Sequence, residues 1–475
     1  LDGVFLADSP TAPELAMRPF CVGIVALSFL TSLGGSAAAG AEKSAFKAGV
    51  ATTVITPAEP MWMAGYSARN KPAEGKVHNL YVKALALQDA AGRRLVLLTS
   101  DLIGLPRELT DAVAAEVRRR TGLPREGLLL TASHTHCGPV FRDALFDMYP
   151  MPPDLAKRAE AYTGRLRGWM TKTILAALHD LRPARLAVGK GSAGFAVNRR
   201  QRAANGTIIN GTNLQGPVDH DVPVLRVETP EGRLRAVVFG YACHNTTMQF
   251  YRWCGDYAGF AQEELEKKHP GARALFWIGC GGDANPLPRG KIELCRRYGH
   301  ELAGTVESVL SGKMTPIRGG FRARYAEISL PFDKLPTRAQ LVAQSLSKNH
   351  ALRKRAERYL RILEKHGRIE NHYPHYPVQV WRLGRQVLWV ALGGEVVIDY
   401  NRRLKKELGT RPVLWVTAYA NDVMAYIPSA RVLREGGYEA DSSMVYYGKP
   451  ARWAPAIENR IIGKVRELVQ ETGKN

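Results

Sequence analysis

Short apolar runs rich in valine, leucine and isoleucine alternate with amphipathic helical patterns along most of this chain. That alternation restricts the fold more than any other feature. The pattern predicts strands at Lys47–Ile55, Leu80–Gln88, Leu95–Ser100 and Leu128–Ala132, with helices over Arg107–Arg120 and Leu155–Leu181. Further strands fall at Leu186–Gly189, Val222–Val227, Arg235–Phe239, Ala274–Ile278, Arg322–Leu330, Val378–Leu383, Gln386–Ala391 and Val413–Thr417. Helices fit Phe260–Lys268, Ile292–Leu310, a long basic stretch Arg338–Lys365, and Glu395–Glu407. Interleaving of this kind implies an α/β fold, a layered mixed-sheet domain with helices covering the sheets. A length of 475 residues allows two or three domains, but no repeat, low-complexity block or Pro/Ser-rich linker divides the chain, so a single large domain over 42–475 is expected.

The first residue is leucine, and Met17 offers a better start. Arg18, the apolar run Phe20–Leu33 and Ala37-Ala38-Ala39 then read as the three parts of a signal peptide, against the alternative of a buried helix or uncleaved anchor. Residues 1–41 are thus upstream residues plus signal peptide, and the remainder is expected to be secreted or periplasmic. Beyond Cys21, five cysteines remain, at 137, 243, 254, 280 and 295; the odd number leaves at least one thiol unpaired, and none forms C-x-x-C. A bridge between Cys137 and Cys243 is one open pairing. Net charge is +22, to which the first 41 residues contribute −2 through Asp2, Asp8 and Glu14 against Arg18, leaving about +24 beyond. That excess suits an anionic substrate, peripheral association with an anionic surface, or a generally basic composition. No nucleic-acid motif accompanies it, and the density of basic residues from Lys348 to Arg368 reads first as a solvated helix face. Oligomeric state is left open.

Four segments carry candidate chemistry. In Thr131–Pro139, T-A-S-H-T-H-C-G-P, a strand leading into His-x-His would put His134 and His136 on one side, one to hold a metal and one to face substrate. Phe239–Met248, F-G-Y-A-C-H-N-T-T-M, again ends a strand-like run in a histidine, His244. In Val390–Tyr400, Glu395 follows two glycines at a strand-to-helix turn, where helix N-terminal amides would hold its carboxylate. Ala418–Tyr438 contains Tyr426 and Tyr438, which on pattern alone read as packing residues. His372 and His375, in N-H-Y-P-H-Y-P, read as a surface loop or as the lining of an entrance.

Together these segments resemble the neutral ceramidase family of zinc-dependent amidases: T-A-S-H-T-H-C-G-P its T-H-T-H-S-G-P, Y-A-C-H-N-T-T-M its second histidine segment, and L-G-G-E-V its P-G-E-F. The likeness runs from about Val50 to about Gly448. It implies one zinc ion per chain on His134, His244, Glu395 and Tyr426, with His136 moving protons and Arg199, in V-N-R-R, and Tyr438 facing the substrate. Where the family has its active-site serine in G-D-x-S-P-N, this chain has Asn285 in G-G-D-A-N-P, and asparagine cannot act as a nucleophile. With its last residue at Asn475, the chain is expected to lack the family's C-terminal immunoglobulin-like domain.

The implied chemistry is attack by metal-activated water on an amide, with His136 as general base then acid, Arg199 and Tyr438 stabilising the oxyanion, and Asn285 orienting the carbonyl or replacing a missing donor. Asp101 and Asp283 are candidate acceptors for the ligand histidines, or loop caps. The same groups suit a lyase or hydrolase acting on a uronate-containing anionic glycan, and a third reading is a non-catalytic binding protein on a degenerate scaffold. Expected partners are therefore a small lipid amide or an anionic glycan, and not nucleic acid.

Overall fold

Alternation with period two decides the layering. In the computed structural model, which describes residues 46–409 and 411–473, successive residues of each central strand enter different cores. Leu85, Leu97 and Leu129 point into one apolar cluster, while Val82, Val96, Leu98, Leu128 and Leu130 point into another. The first cluster lies between two sheets packed face to face, and the second between the sheets and the helices outside them. The described residues form one compact unit, a mixed α/β architecture as expected.

The larger sheet runs in the order Arg273–Ile278, Leu234–Tyr241, Asp221–Glu228, Arg182–Ser192, Phe46–Val54, Tyr81–Asp89, Arg94–Ser100, Leu128–Ala132, with Thr315–Pro316 attached to Arg182–Ser192. Its pairs are antiparallel except at the two ends, where Leu234–Tyr241 pairs with Arg273–Ile278, and Arg94–Ser100 with Leu128–Ala132, in parallel. The second sheet is Phe321–Pro331, His372–Leu383, Val387–Leu392, Val413–Thr417. Trp381, Trp389 and Trp415 from this sheet meet Trp277 from the other, with ring centroids 5.0 to 5.8 Å apart for successive neighbours of Trp389. Each such aromatic pair adds about 1 kcal/mol beyond its area burial. Helices Arg107–Thr121, Pro153–His179, Asp256–Lys268 and Ile292–Ser311 cover the larger sheet. Helix Ile457–Gly473 applies Ile461, Ile462, Val465 and Leu468 to the smaller one.

Most elements fall where the periodicity placed them, and Leu128–Ala132 and Val413–Thr417 match to the residue. Several differ. The basic stretch Arg338–Lys365 is two helices, Arg338–Ser345 and His350–His366, because Asn349 breaks the run and caps the second helix by accepting from the Leu352 amide. His372 and His375 lie on a strand, not in a loop; His375 Nδ1 is 2.7 Å from Glu327 Oε2 on the neighbouring strand. Strands Ala196–Arg202 and Ile208–Asn213 and helix Ile457–Gly473 went unpredicted, the two strands because V-N-R-R-Q-R and I-I-N-G-T-N lack apolar alternation. All five cysteines among the described residues are free and buried, so Cys137 and Cys243 are not bridged. The signal-peptide assignment lies outside the described residues. Among those residues no helix is long and apolar enough to cross a membrane.

Candidate metal centre

Both parallel strand pairs end at the same place, the carboxyl edge where α/β sheets form ligand crevices. His134 lies just beyond strand Leu128–Ala132, and His244 just beyond Leu234–Tyr241. The two loops are stitched together directly: Thr135 bridges Asn245, the His136 amide donates to Asn245 O at 3.2 Å, and Asn245 Nδ2 donates to Ser133 O at 2.6 Å. In a separate two-stranded sheet, Glu395–Val396 pairs in parallel with Tyr426–Ile427, in a register that sets Glu395 beside Tyr426. Gly394 makes that turn with φ +75°, where a Cβ would come within 2.5 Å of Ile427.

The continuing strand expected through His-x-His is absent. The strand stops at Ala132 and His134 has φ +62°, so the shared orientation of the two histidines comes from the loop and not from the pleat. They still face each other, Nε2 to Nε2, at 3.1 Å. Glu395 Oε2 stands 3.0 Å from His134 Nε2 and 3.1 Å from His244 Nε2, and the Tyr426 hydroxyl is 3.1 Å from His244 Nε2. His134, His136 and His244 form a buried group whose ligand atoms lie within 4.8 Å of one another.

The outward ring nitrogens fix the tautomers. His134 Nδ1 donates to Ile103 O at 2.5 Å and His244 Nδ1 to Gly281 O at 2.7 Å, since a carbonyl can only accept. In a neutral imidazole each Nε2 is then a lone pair turned toward the same Glu395 oxygen. Without an ion a proton must stand between ring and carboxylate, and a cation at their common point would take its place. Corners of a tetrahedron around zinc with bonds of ~2.0–2.1 Å stand about 3.3 Å apart, close to the separations here. The donor set fits the ion. Burial, then the neighbouring Arg199, pushes His244 down to about 4, and burial with the two other imidazoles holds His136 well below its ordinary value. Burial raises Glu395, but His134 and His244 outweigh it and keep the carboxylate ionised.

His136 differs from the other two in its far side. Its Nδ1 is buried without a partner, covered by Gly65, where a Cβ would come within 2.4 Å of the ring. Metal-bound histidines nearly always donate their second nitrogen to an acceptor, as His134 and His244 do and His136 does not. Asp101 and Asp283 do not orient these rings. Asp101 accepts from the Tyr81 amide, and Asp283 from Asn198 and the Ile398 amide. It is Asp283, not Glu395, that occupies the N-terminus of helix Ile398–Leu408.

Arg199 reaches the centre from strand Ala196–Arg202. Its Nη1 is 3.2 Å from His244 Nε2 and its Nη2 donates to the Tyr426 hydroxyl at 2.9 Å. Tyr438 packs edge-on against Tyr426, centroids 5.3 Å apart, with the Arg199 guanidinium 5.7 Å from its ring. Asn285 is buried, its Oδ1 3.3 Å from Thr246 Oγ1 and 3.4 Å from Arg199 Nη1. All eight candidate residues thus gather around one point. The sequence reading missed Tyr419 and Tyr447, which donate to the two oxygens of Glu395, and Glu439, which holds Arg199 Nε at 2.8 Å and Arg200 Nη1 at 2.6 Å. Tyr419 and Glu439 lie within or beside the tyrosine segment already singled out; Tyr447 carried no signal.

Behind Glu395, Asp422 O accepts from the Gly394 amide, and the Asp422 carboxylate accepts from the Tyr373 hydroxyl. Burial pushes this carboxyl up to about 7, against the Tyr373 hydrogen bond and Lys449. A raised carboxyl favours the folded state most below its unfolded value near 4, and that advantage is lost as pH rises through 7. The stability of the wild type relative to Asp422→Asn should therefore fall between pH 4 and pH 7, by up to roughly 4 kcal/mol. Denaturant titrations at several pH values check this, and a pH-independent difference contradicts it.

The model of the neutral/alkaline non-lysosomal ceramidase N-terminal region matches residues 46–312. Among solved structures, the neutral ceramidase from Pseudomonas aeruginosa is similar at 19% identity, with a TM-score of 0.67 over 89% of this chain and 74% of that one. A ceramidase complexed with C2 is similar at 18% identity and TM-score 0.68, with the same coverage. No curated protein matches the chain.

Proposed function

The chain belongs to the neutral/alkaline non-lysosomal ceramidase family, and from that premise we propose that it is an exported zinc-dependent hydrolase cleaving an N-acyl amide, with residues 42–475 as the catalytic domain. One observation carries the reading: two imidazole nitrogens, each on a ring whose other nitrogen donates to a backbone carbonyl, and a carboxylate oxygen converge within 3.1 Å, beside a third imidazole with no orienting acceptor. His134, His244, Glu395 and Tyr426 would hold one zinc ion per chain. When bound, the ion supplies Lewis-acid polarisation and lowers the pKa of water to ~7.

The protein's own groups do the rest. His136, neutral at pH 7, takes a proton at Nε2 and returns it to the leaving nitrogen. Arg199, kept protonated by Tyr426 and Glu439 against the cost of burial, offers fixed positive charge to the developing oxyanion, with Tyr438 alongside. Asn285, in the place of the family's serine, offers an amide that orients a carbonyl and forms no acyl intermediate. A lipid amide is the substrate class that the family suggests. Incubating the zinc-loaded protein with a panel of N-acyl amides should release free amine. Formation of an unsaturated uronate from an acidic glycan, with no amine released from any amide, supports elimination instead.

His136→Ala should keep zinc near one equivalent while turnover falls ~10²- to 10⁴-fold. Loss of zinc from that variant places His136 among the ligands.

A further inference from the structure

Two left-handed residues meet at the centre. His134 has φ +62° and Tyr419 φ +54°, and their rings lie against each other with centroids 4.4 Å apart. A positive φ is costly for a residue as bulky as tyrosine, and it persists where surrounding contacts hold it, most often at functional sites. The main-chain contacts of Tyr419 run to the segments that carry the proposed ligands. Its amide donates at 3.0 Å to the carbonyl of Gly394, one residue before Glu395. Its carbonyl accepts at 3.5 Å from the amide of Ala132, two residues before His134. Next to it, the Ala418 amide donates to Ile278 O at 3.1 Å, at the end of the strand that leads to Gly281, whose carbonyl fixes His244.

The side chain continues this junction. The Tyr419 hydroxyl donates at 3.2 Å to Glu395 Oε2, the oxygen that also faces His134 Nε2 at 3.0 Å and His244 Nε2 at 3.1 Å. The other oxygen, Oε1, accepts from the Tyr447 hydroxyl. With a hydroxyl on each oxygen, the carboxylate cannot turn without breaking one of these bonds, and Oε2 stays toward the imidazoles.

We propose that Tyr419 and Tyr447 are positioning residues for Glu395. Tyr447 holds Oε1 aside, while Tyr419, through its ring on His134 and its hydroxyl on Oε2, keeps that oxygen in register with the two imidazoles. The inference rests on the metal reading above and deepens it, by naming the groups that arrange the ligands before an ion arrives.

The test reads the zinc affinity of the full chain by competition with a chromophoric chelator, together with the melting temperature of the metal-free protein. Tyr419→Phe and Tyr447→Phe keep the rings and delete the hydroxyls. Each should weaken zinc binding about 10- to 100-fold, with little change in the metal-free melting temperature. Tyr162→Phe, which deletes a buried hydroxyl bonded to Ile55 O at 2.6 Å, should leave zinc affinity unchanged. Zinc affinity within about twofold of the wild type in either centre variant overturns that residue's role, as does an equal loss in Tyr162→Phe. Loss of zinc as complete as removal of His244 should cause makes the tyrosine a ligand, and overturns positioning as well. Weakened zinc binding in a protein that releases amine from no amide supports the positioning role and overturns the amidase reading instead. A wild type that binds no zinc overturns both.

Discussion

Replacing His244 by alanine should reduce bound zinc from close to one equivalent per chain to under about a tenth, measured by metal analysis after dialysis against a weak chelator. The imidazole is fully buried, its Nδ1 fixed on Gly281 O and its Nε2 3.1 Å from Glu395 Oε2. No other side chain can swing into that direction without breaking a contact of its own: Arg199 on this side is a cation, and Tyr426 is already held by it. The variant should also lose turnover, and its melting temperature in the absence of metal separates loss of the ligand from loss of the fold. A variant that retains a full equivalent of zinc removes His244 from the ligand set and, with it, the proposed geometry.

Glu439→Ala should be the most destabilising single change around the centre, by about 3–5 kcal/mol in urea or guanidinium titrations. Its carboxylate bonds Arg199 with one oxygen and Arg200 with the other, and all three side chains are at most 4% exposed. Removing it strands two buried guanidinium groups, of which Arg200 keeps Glu435 at 3.0 Å and Arg199 keeps no carboxylate. The same change frees the guanidinium that faces His244 and Tyr426, so activity should fall further than stability alone explains. Destabilisation below about 1 kcal/mol would mean that solvent reaches both arginines.

Glu439 illustrates what sequence patterns leave out. It adjoins Tyr438, one of the residues singled out in the sequence, yet its partners are about 240 positions away along the chain. The same holds for the orienting groups of the histidines. Local reasoning proposed Asp101 and Asp283 because carboxylates often fill that role; the backbone carbonyls of Ile103 and Gly281 fill it instead. A carbonyl has no residue-type signature, so no pattern reveals which one a ring will meet. Glu395 was placed at a helix terminus for a sound local reason, but the terminus went to Asp283, and Glu395 turned inward to the imidazoles.

By itself, then, the sequence determined the strands and helices whose hydrophobic period is strong, the layered α/β class, and the residue types at the ends of particular strands. Those properties depend on side chains spaced two or three to four apart, and such spacing is written in the chain. Only the tertiary structure decided that His134, His244, Glu395 and Tyr426 share one point and that Arg199 leans on Glu439. Those relations depend on which strand edges end together and which loops cross. Packing of two sheets through a common core sets them, and no short stretch of sequence encodes it.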